Sequence, residues 1–348
     1  MTHPRDVLLG AKVAPLLPVC DHYCGVEPRM RKSLALQAEL AQELGACVFD
    51  VTLDCEDGAP VGGESDHAFM VSALAREALG AINNGGNPTP LRVAVRVHPV
   101  DHPAFENDVA TIVGRVGGAL CHVMLPKVES RDDIERAVSL IDTACQGSPM
   151  PTLLPVHALI ESPAAVQQAA SIASHPRVQS LSFGLMDFVS AHGGAIPESA
   201  MTYGGDGVLS KLDQFHHPLV LQAKLTIAAA CHAAGKTPSH CVVTEFRDPS
   251  AVQTAARWVS QALGYTRMWS IHPDQIRPIL AAFAPDRDEV AKAGEIILAA
   301  KAANWAPISF SGMLHDRASY RYFWQLLERA NRTGRLLPAD PAHHFFAC

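Results

Sequence analysis

The chain has 348 residues, 48% hydrophobic and 18% charged, with a formal net charge of -7; this is enough apolar material for one large α/β domain with an appended piece, and too much for a disordered chain. No run of lysines and arginines is present, so the electrostatic footprint of a nucleic-acid binder is missing. Residues 1 to 30 hold no basic segment followed by a long apolar one, and no apolar run approaches ~18 residues, so the expected location is the cytoplasm, without a membrane span.

In chain order, strand-like stretches fall at 13–19 ("VAPLLPV"), 46–54 ("ACVFDVTLD"), 91–98 ("LRVAVRVH"), 119–126 ("ALCHVMLP"), 152–161 ("TLLPVHALIE"), 178–184 ("VQSLSFG"), 239–245 ("SHCVVTE") and 266–272 ("TRMWSIH"). Helical segments lie between most of them, at 29–44, 66–83, 130–145, 163–174, 208–234 and 249–263. Repeated βα units whose strands are apolar on both faces predict a (β/α)8 TIM barrel, with a doubly wound sheet as the alternative. Neither a G-x-G-x-x-G turn nor a Walker A loop follows any strand, which favours the barrel. Residues 1–285 then form the barrel, and 286–348 a C-terminal helical extension or lid with helices at 287–303 and beyond.

Nine cysteines at irregular spacing fit reduced, buried thiols better than a disulfide framework. Cys20 and Cys24 flank His22, but no second ligand pair at zinc-finger spacing accompanies them.

A barrel assembles its active site at the C-terminal ends of its strands, and polar residues gather there: Asp54, Glu56, Asp57, Arg96, Lys127, Glu161, Asp187 and His272. Glu161 ends an apolar strand and is followed by Ser162 and Pro163, a helix start. Asp187 occupies the matching place one strand later. Adjacent parallel strands are ~4.8 Å apart, so these carboxylates either repel or share a hard cation, and an oxygen-only pair with open positions suits Mg2+. The plainer reading is that each acid caps the following helix. Arg96 alternates with valines and needs an anionic partner, either a substrate or Asp54 or Glu56.

Six ordered stretches carry a family resemblance. "LDCEDGAP", "VAVRVHP", "VMLPKVES", "LIESPAAV", "LSFGLMDFVS" and "MWSIHPDQIRPI" resemble, in that order, the conserved strand ends of the HpcH/HpaI aldolase and citrate lyase β-subunit superfamily. The resemblance implies a Mg2+-dependent carbon-carbon lyase, with Mn2+ as a substitute metal, Glu161 and Asp187 as ligands, and Arg96 meeting charge that develops on oxygen. It also assigns Asp57 to catalysis and Glu56, Lys127 and His272 to substrate binding. Glu56-Asp57, where pyruvate-dependent aldolases carry Glu-His, is similar to the acyl-CoA lyase branch, which acts on 3-hydroxy-acyl thioesters such as citryl-CoA or malyl-CoA. "GMLHD", 312 to 316, is similar to that branch's C-terminal G-x-M-I-D motif and implies an acid/base role for Asp316, acting across a homotrimer or hexamer. Two alternatives stay open: an aldolase taking a free 2-oxo acid and an aldehyde, and a non-catalytic barrel.

Overall fold

The computed structural model describes residues 3–10, 16–84, 91–146, 153–204 and 212–346. Eight parallel strands close into a barrel in sequence order: β1 (Cys20–Cys24), β2 (Phe49–Asp54), β3 (Val93–Arg96), β4 (Val123–Leu125), β5 (Val156–Ile160), β6 (Val178–Phe183), β7 (Thr237–His240) and β8 (Arg267–Ser270). β8 pairs back onto β1, so among these strands no edge is left open.

Alternation along the strands separates two environments. Phe49, Val51 and Leu53 of β2 point outward into the main hydrophobic core, on the side of the helix Glu27–Leu44, whose Met30, Leu34 and Leu40 belong to the same core. Asp50, Thr52 and Asp54 alternate with them and are buried as well. The helices start where local chemistry directs. Ser162 accepts a hydrogen bond from the Ala165 N–H at 3.0 Å before Pro163–Ala173, and Asp248 accepts from Ser250 and Ala251 before Pro249–Ala262.

Three expected elements shift. The first strand is Cys20–Cys24 rather than 13–19, of which 13–15 lie outside the described residues. Its inward residues, Asp21 and Tyr23, break the apolar pattern that a barrel strand was expected to show. For the same reason β7, with its residues "TPSH", begins before the apolar run at 239–245. The helix expected from 208 spans Pro218–Ala234, with proline in its first turn; 208–211 lie outside the described residues. Cys20 and Cys24 are buried free thiols. His22 between them sits 3.0 Å from both the Ser270 and the Ser33 hydroxyls, a fully used imidazole.

The extension consists of the helix Arg287–Ala302, an antiparallel hairpin of β9 (Ile308–Phe310) and β10 (Met313–His315), and the tail helix Arg317–Arg332. With the short helix Pro4–Leu8 they enclose a second core around Ile296, Ile297, Tyr320, Trp324 and Phe345. The segment at 3–8 therefore packs with the extension rather than with the barrel. Arg5 pairs with Glu328, which also accepts from Trp324 Nε1 at 3.0 Å, and His3 Nε2 lies 3.0 Å from the carbonyl oxygen of Phe345. This unit docks beneath the N-terminal ends of the barrel strands: Arg329 and Arg332 share a cavity with Val19, Val178, Thr237 and Thr266. Within its own chain, then, the extension lies at the end opposite the strand C-termini and is not a lid over them.

Candidate active site

At the C-terminal mouth, β2 and β3 pair so that Asp54 lies directly beside Arg96. The Asp54 carboxylate takes both arms of the guanidinium, from Nε at 2.7 Å and from an Nη at 2.6 Å, and the other Nη is 3.1 Å from Glu56. The backbone N–H groups of Glu56 and Gly58 also donate to Asp54, each at 2.9 Å. A Cβ on Gly58 would fall 2.3 Å from the Asp54 carboxylate, so the turn is shaped around that side chain. Burial disfavours both charges, yet each holds the other: Asp54 stays below, and Arg96 above, its usual range. The face of the Tyr23 ring lies 5.3 Å from the guanidinium. Asp54 is thus what fixes Arg96. In the sequence it is visible only as one of two possible partners, and Tyr23 was hidden by the displaced first strand.

Lys127 follows β4 with a left-handed backbone, φ 51°. Its N–H donates to Glu161 Oε1 at 2.8 Å, while its ammonium group reaches Glu56 and lies 3.3 Å from Asp57. The surrounding acids raise its pKa although burial opposes them. Glu56 is buried between Arg96 and Lys127; Asp57 is exposed at the rim.

Glu161, one residue past β5, is buried. Asp187 does not end a strand as expected: it lies in the first turn of the helix Leu185–Ser190, after β6 has turned through Gly184. Burial, reinforced by the neighbouring Asp187 charge, pushes the Glu161 carboxyl up to about 8. Arg96 and Lys127 spend their side chains on Asp54, Glu56 and Asp57, so no cationic side chain among the described residues bonds to either Glu161 or Asp187. A Cβ on Gly184 would lie 2.6 Å from Glu161 Oε2 and 3.0 Å from its Cβ, which leaves that carboxylate little room on this side. Two carboxylates, one just past β5 and one in the helical turn after β6, neither paired with a cation, make an oxygen donor set that fits Mg2+.

Two expected site residues stand apart. His272 caps the short turn Pro273–Gln275, accepting from the Asp274 N–H at 3.3 Å, and stacks on Phe246; it makes no bond to the cluster around Arg96. Asp316 caps the tail helix, accepting from Ala318 and Ser319. None of its partners belongs to the mouth.

A second polar group lies on the barrel floor. Arg267 bridges Asp21 at 2.7 Å and Asp50 at 2.6 Å, Arg92 pairs with Asp50, and the rings of His122 and His157 stack 3.5 Å apart at 12°. Burial alone would raise Asp50, but the two arginines hold it down to about 2. Asp21, His122 and His157 bring ligand-type atoms within 4.8 Å of one another. They are a poor metal site: two aspartates already face two arginines, and stacked imidazoles cannot aim their in-plane lone pairs at one ion.

This geometry, a closed barrel with an acid pair and a clamped arginine at its mouth, is that of a barrel enzyme. Residues 34–273 match the model of the HpcH/HpaI aldolase/citrate lyase family. The chain belongs to that family and is a lyase of it. A citrate lyase from Burkholderia xenovorans LB400 is 46% identical, with a TM-score of 0.78 over 98% of this chain and 99% of that one. An L-malyl-CoA/beta-methylmalyl-CoA lyase of Cereibacter sphaeroides is 29% identical over 81% of this chain and 87% of its own. The CitE protein of Mycobacterium tuberculosis, solved with magnesium, acetoacetate and coenzyme A, shares the fold at 23% identity, with a TM-score of 0.56 over 90% of this chain and 98% of that one. No helix among the described residues is long and apolar enough to cross a membrane.

Proposed function

We propose that this lyase cleaves, or forms, the bond between C2 and C3 of a 3-hydroxy-acyl-CoA thioester of the malyl-CoA or citryl-CoA kind. The observation that carries this reading is the unneutralised Glu161 and Asp187 pair beside an arginine that Asp54 holds rigid. Glu161 and Asp187 would hold Mg2+, which supplies Lewis-acid polarisation of the oxygen at the reacting carbon. Arg96 commits two N–H groups to Asp54 and turns one Nη toward Glu56, and it offers the remainder to a ligand oxygen. Because its orientation is set before the ligand arrives, it meets negative charge developing on the thioester oxygen without reorganising.

In the cleavage direction the 3-hydroxyl loses its proton, the C2–C3 bond breaks to release an oxo acid, and the enolate carbon is then protonated. Asp57 is the candidate acceptor of the hydroxyl proton; its exposure at the mouth, beside the Lys127 ammonium, supports this. Glu56 and Lys127 order the acid end of the substrate. Asp316 lies in an extension beneath its own barrel, so an acid/base role for it requires a neighbouring subunit, and a homotrimer or hexamer is the assembly we infer.

The discriminating experiment supplies the Mg2+-loaded protein with malyl-CoA, citryl-CoA or a 4-hydroxy-2-oxo acid, and separates the products by chromatography. Acetyl-CoA release is the expected result. Pyruvate release from the hydroxy-oxo acid, with both thioesters untouched, would replace this reading by an aldolase.

A further inference from the structure

Between the barrel floor and the tail helix lies a cavity of about 570 Å³, a volume within the range of small-molecule sites. Its charge is one-sided. Arg177, His232, Lys236, Arg329 and Arg332 line it, and among the described residues no aspartate or glutamate does. Arg177 is satisfied by Asp142 at 2.7 Å and by the Leu154 carbonyl. His232 Nε2 donates to the Gly264 carbonyl oxygen at 2.7 Å. Lys236, Arg329 and Arg332 have no acid within ion-pair distance among the described residues. Of the acids that act on the two tail arginines, Asp50 is held by Arg267 and Arg92, Glu328 by Arg5 and Trp324, and Glu289 by the start of its own helix. Burial accordingly lowers the pKa of all three free cations. The apolar part of the lining is formed by Leu16, Leu17, Val19 and Leu153.

We propose that this cavity is a binding site for a phosphate ester with an apolar body, the phosphate lying between Lys236, Arg329 and Arg332 and the body against the leucine wall. Arginine forks match phosphate oxygens in pairs, and three unneutralised cations exceed what a monocarboxylate can balance. Desolvated cations gain more from an anion than exposed ones would. The site draws on the barrel and the extension together, so its occupant strengthens the junction between the two cores. This proposal is independent of the chemistry assigned to the mouth.

The test is calorimetric titration of the full chain with hexyl phosphate, inorganic phosphate and hexanoate at matched ionic strength. Hexyl phosphate is expected to bind one per chain, about tenfold or more tighter than either of the others. Arg329→Gln, Arg332→Gln and Lys236→Gln should each weaken it by about tenfold while remaining folded, since each removes a charge that burial disfavours. Glu161→Gln, at the opposite end of the barrel, should bind it unchanged. Absence of saturable binding, or equal affinity for hexanoate, would overturn the proposal. So would unchanged binding in all three cavity variants, or loss of binding in Glu161→Gln.

Discussion

The backbone N–H of Lys127 donates to Glu161 at 2.8 Å from a residue whose φ is 51°. A left-handed lysine costs roughly 1–3 kcal/mol, and this one turns the chain so that its N–H aims at the buried carboxylate while its ammonium group goes to Glu56 and Asp57. On the other side of the same carboxylate, Gly184 leaves no space. Gly184→Ala should therefore fold with Tm lowered by a few degrees, yet displace Glu161 and weaken Mg2+ binding by about tenfold or more. A thermal melt measures the first effect and calorimetric titration with Mg2+ the second, and unchanged affinity would remove Glu161 from the metal.

The pH response of the metal-free protein follows from Glu161. Its carboxyl titrates near 8 when folded and near ~4.3 when unfolded, so between these values the folded state holds the extra proton. Stability should be fully expressed at low pH and fall as pH rises toward 8. Mg2+ favours the ionised form, so the Tm gain on adding it should grow with pH and level off above about 8. Thermal melts in EDTA and in Mg2+ across pH 5–9 check the sign. A Glu161→Gln protein should show no such divergence.

Arg96→Lys keeps the charge and loses the fork that Asp54 grips. It is expected to lower kcat by about 100-fold, with a smaller change in KM. Steady-state kinetics read the split, and an effect confined to KM would assign Arg96 to ground-state binding.

Arg267 offers a stability test away from the mouth. Arg267→Met leaves Asp21 and Asp50 facing each other with Arg92 as the remaining close guanidinium, which should cost about 3–5 kcal/mol. Urea denaturation at pH 7 and pH 5 measures it, and the loss should be smaller at pH 5, where one aspartate can protonate.

Complementation examines the role of Asp316 across subunits. Mixtures of Asp316→Asn and Glu161→Gln proteins should regain partial activity that neither has alone. Failure to regain it, with subunit exchange established by a fluorescence probe, would leave Asp316 as a helix cap.

Much of this site was readable because chemistry at the mouth leaves acids and cations where strands end: Glu56, Asp57, Arg96, Lys127 and Glu161 come together as expected. What was not readable has a common physical origin. The barrel interior is polar, with charges at its floor, so β1 and β7 turn Asp21, Tyr23 and Ser239 inward where an apolar pattern was sought. Asp187 sits on a helix because Gly184 ends the strand pairing early, a turn that one sequence does not distinguish from a strand continuing. His272 looked like its neighbours by position, but its ring is turned to cap its own backbone. The placement of the extension depends on the packing of Trp324 and Phe345, which no local motif announces.

The contact between His3 and Phe345 has a topological consequence. Residues 3 and 345 are neighbours in space, stitched within the second core, so the stretch between them runs as a nearly closed ring through eight strands. A short peptide joining these two positions would complete that ring, and fresh ends could then be opened in an exposed connection elsewhere without changing the cyclic order of the barrel strands. The extension then becomes an internal bridge between the eighth strand and the first.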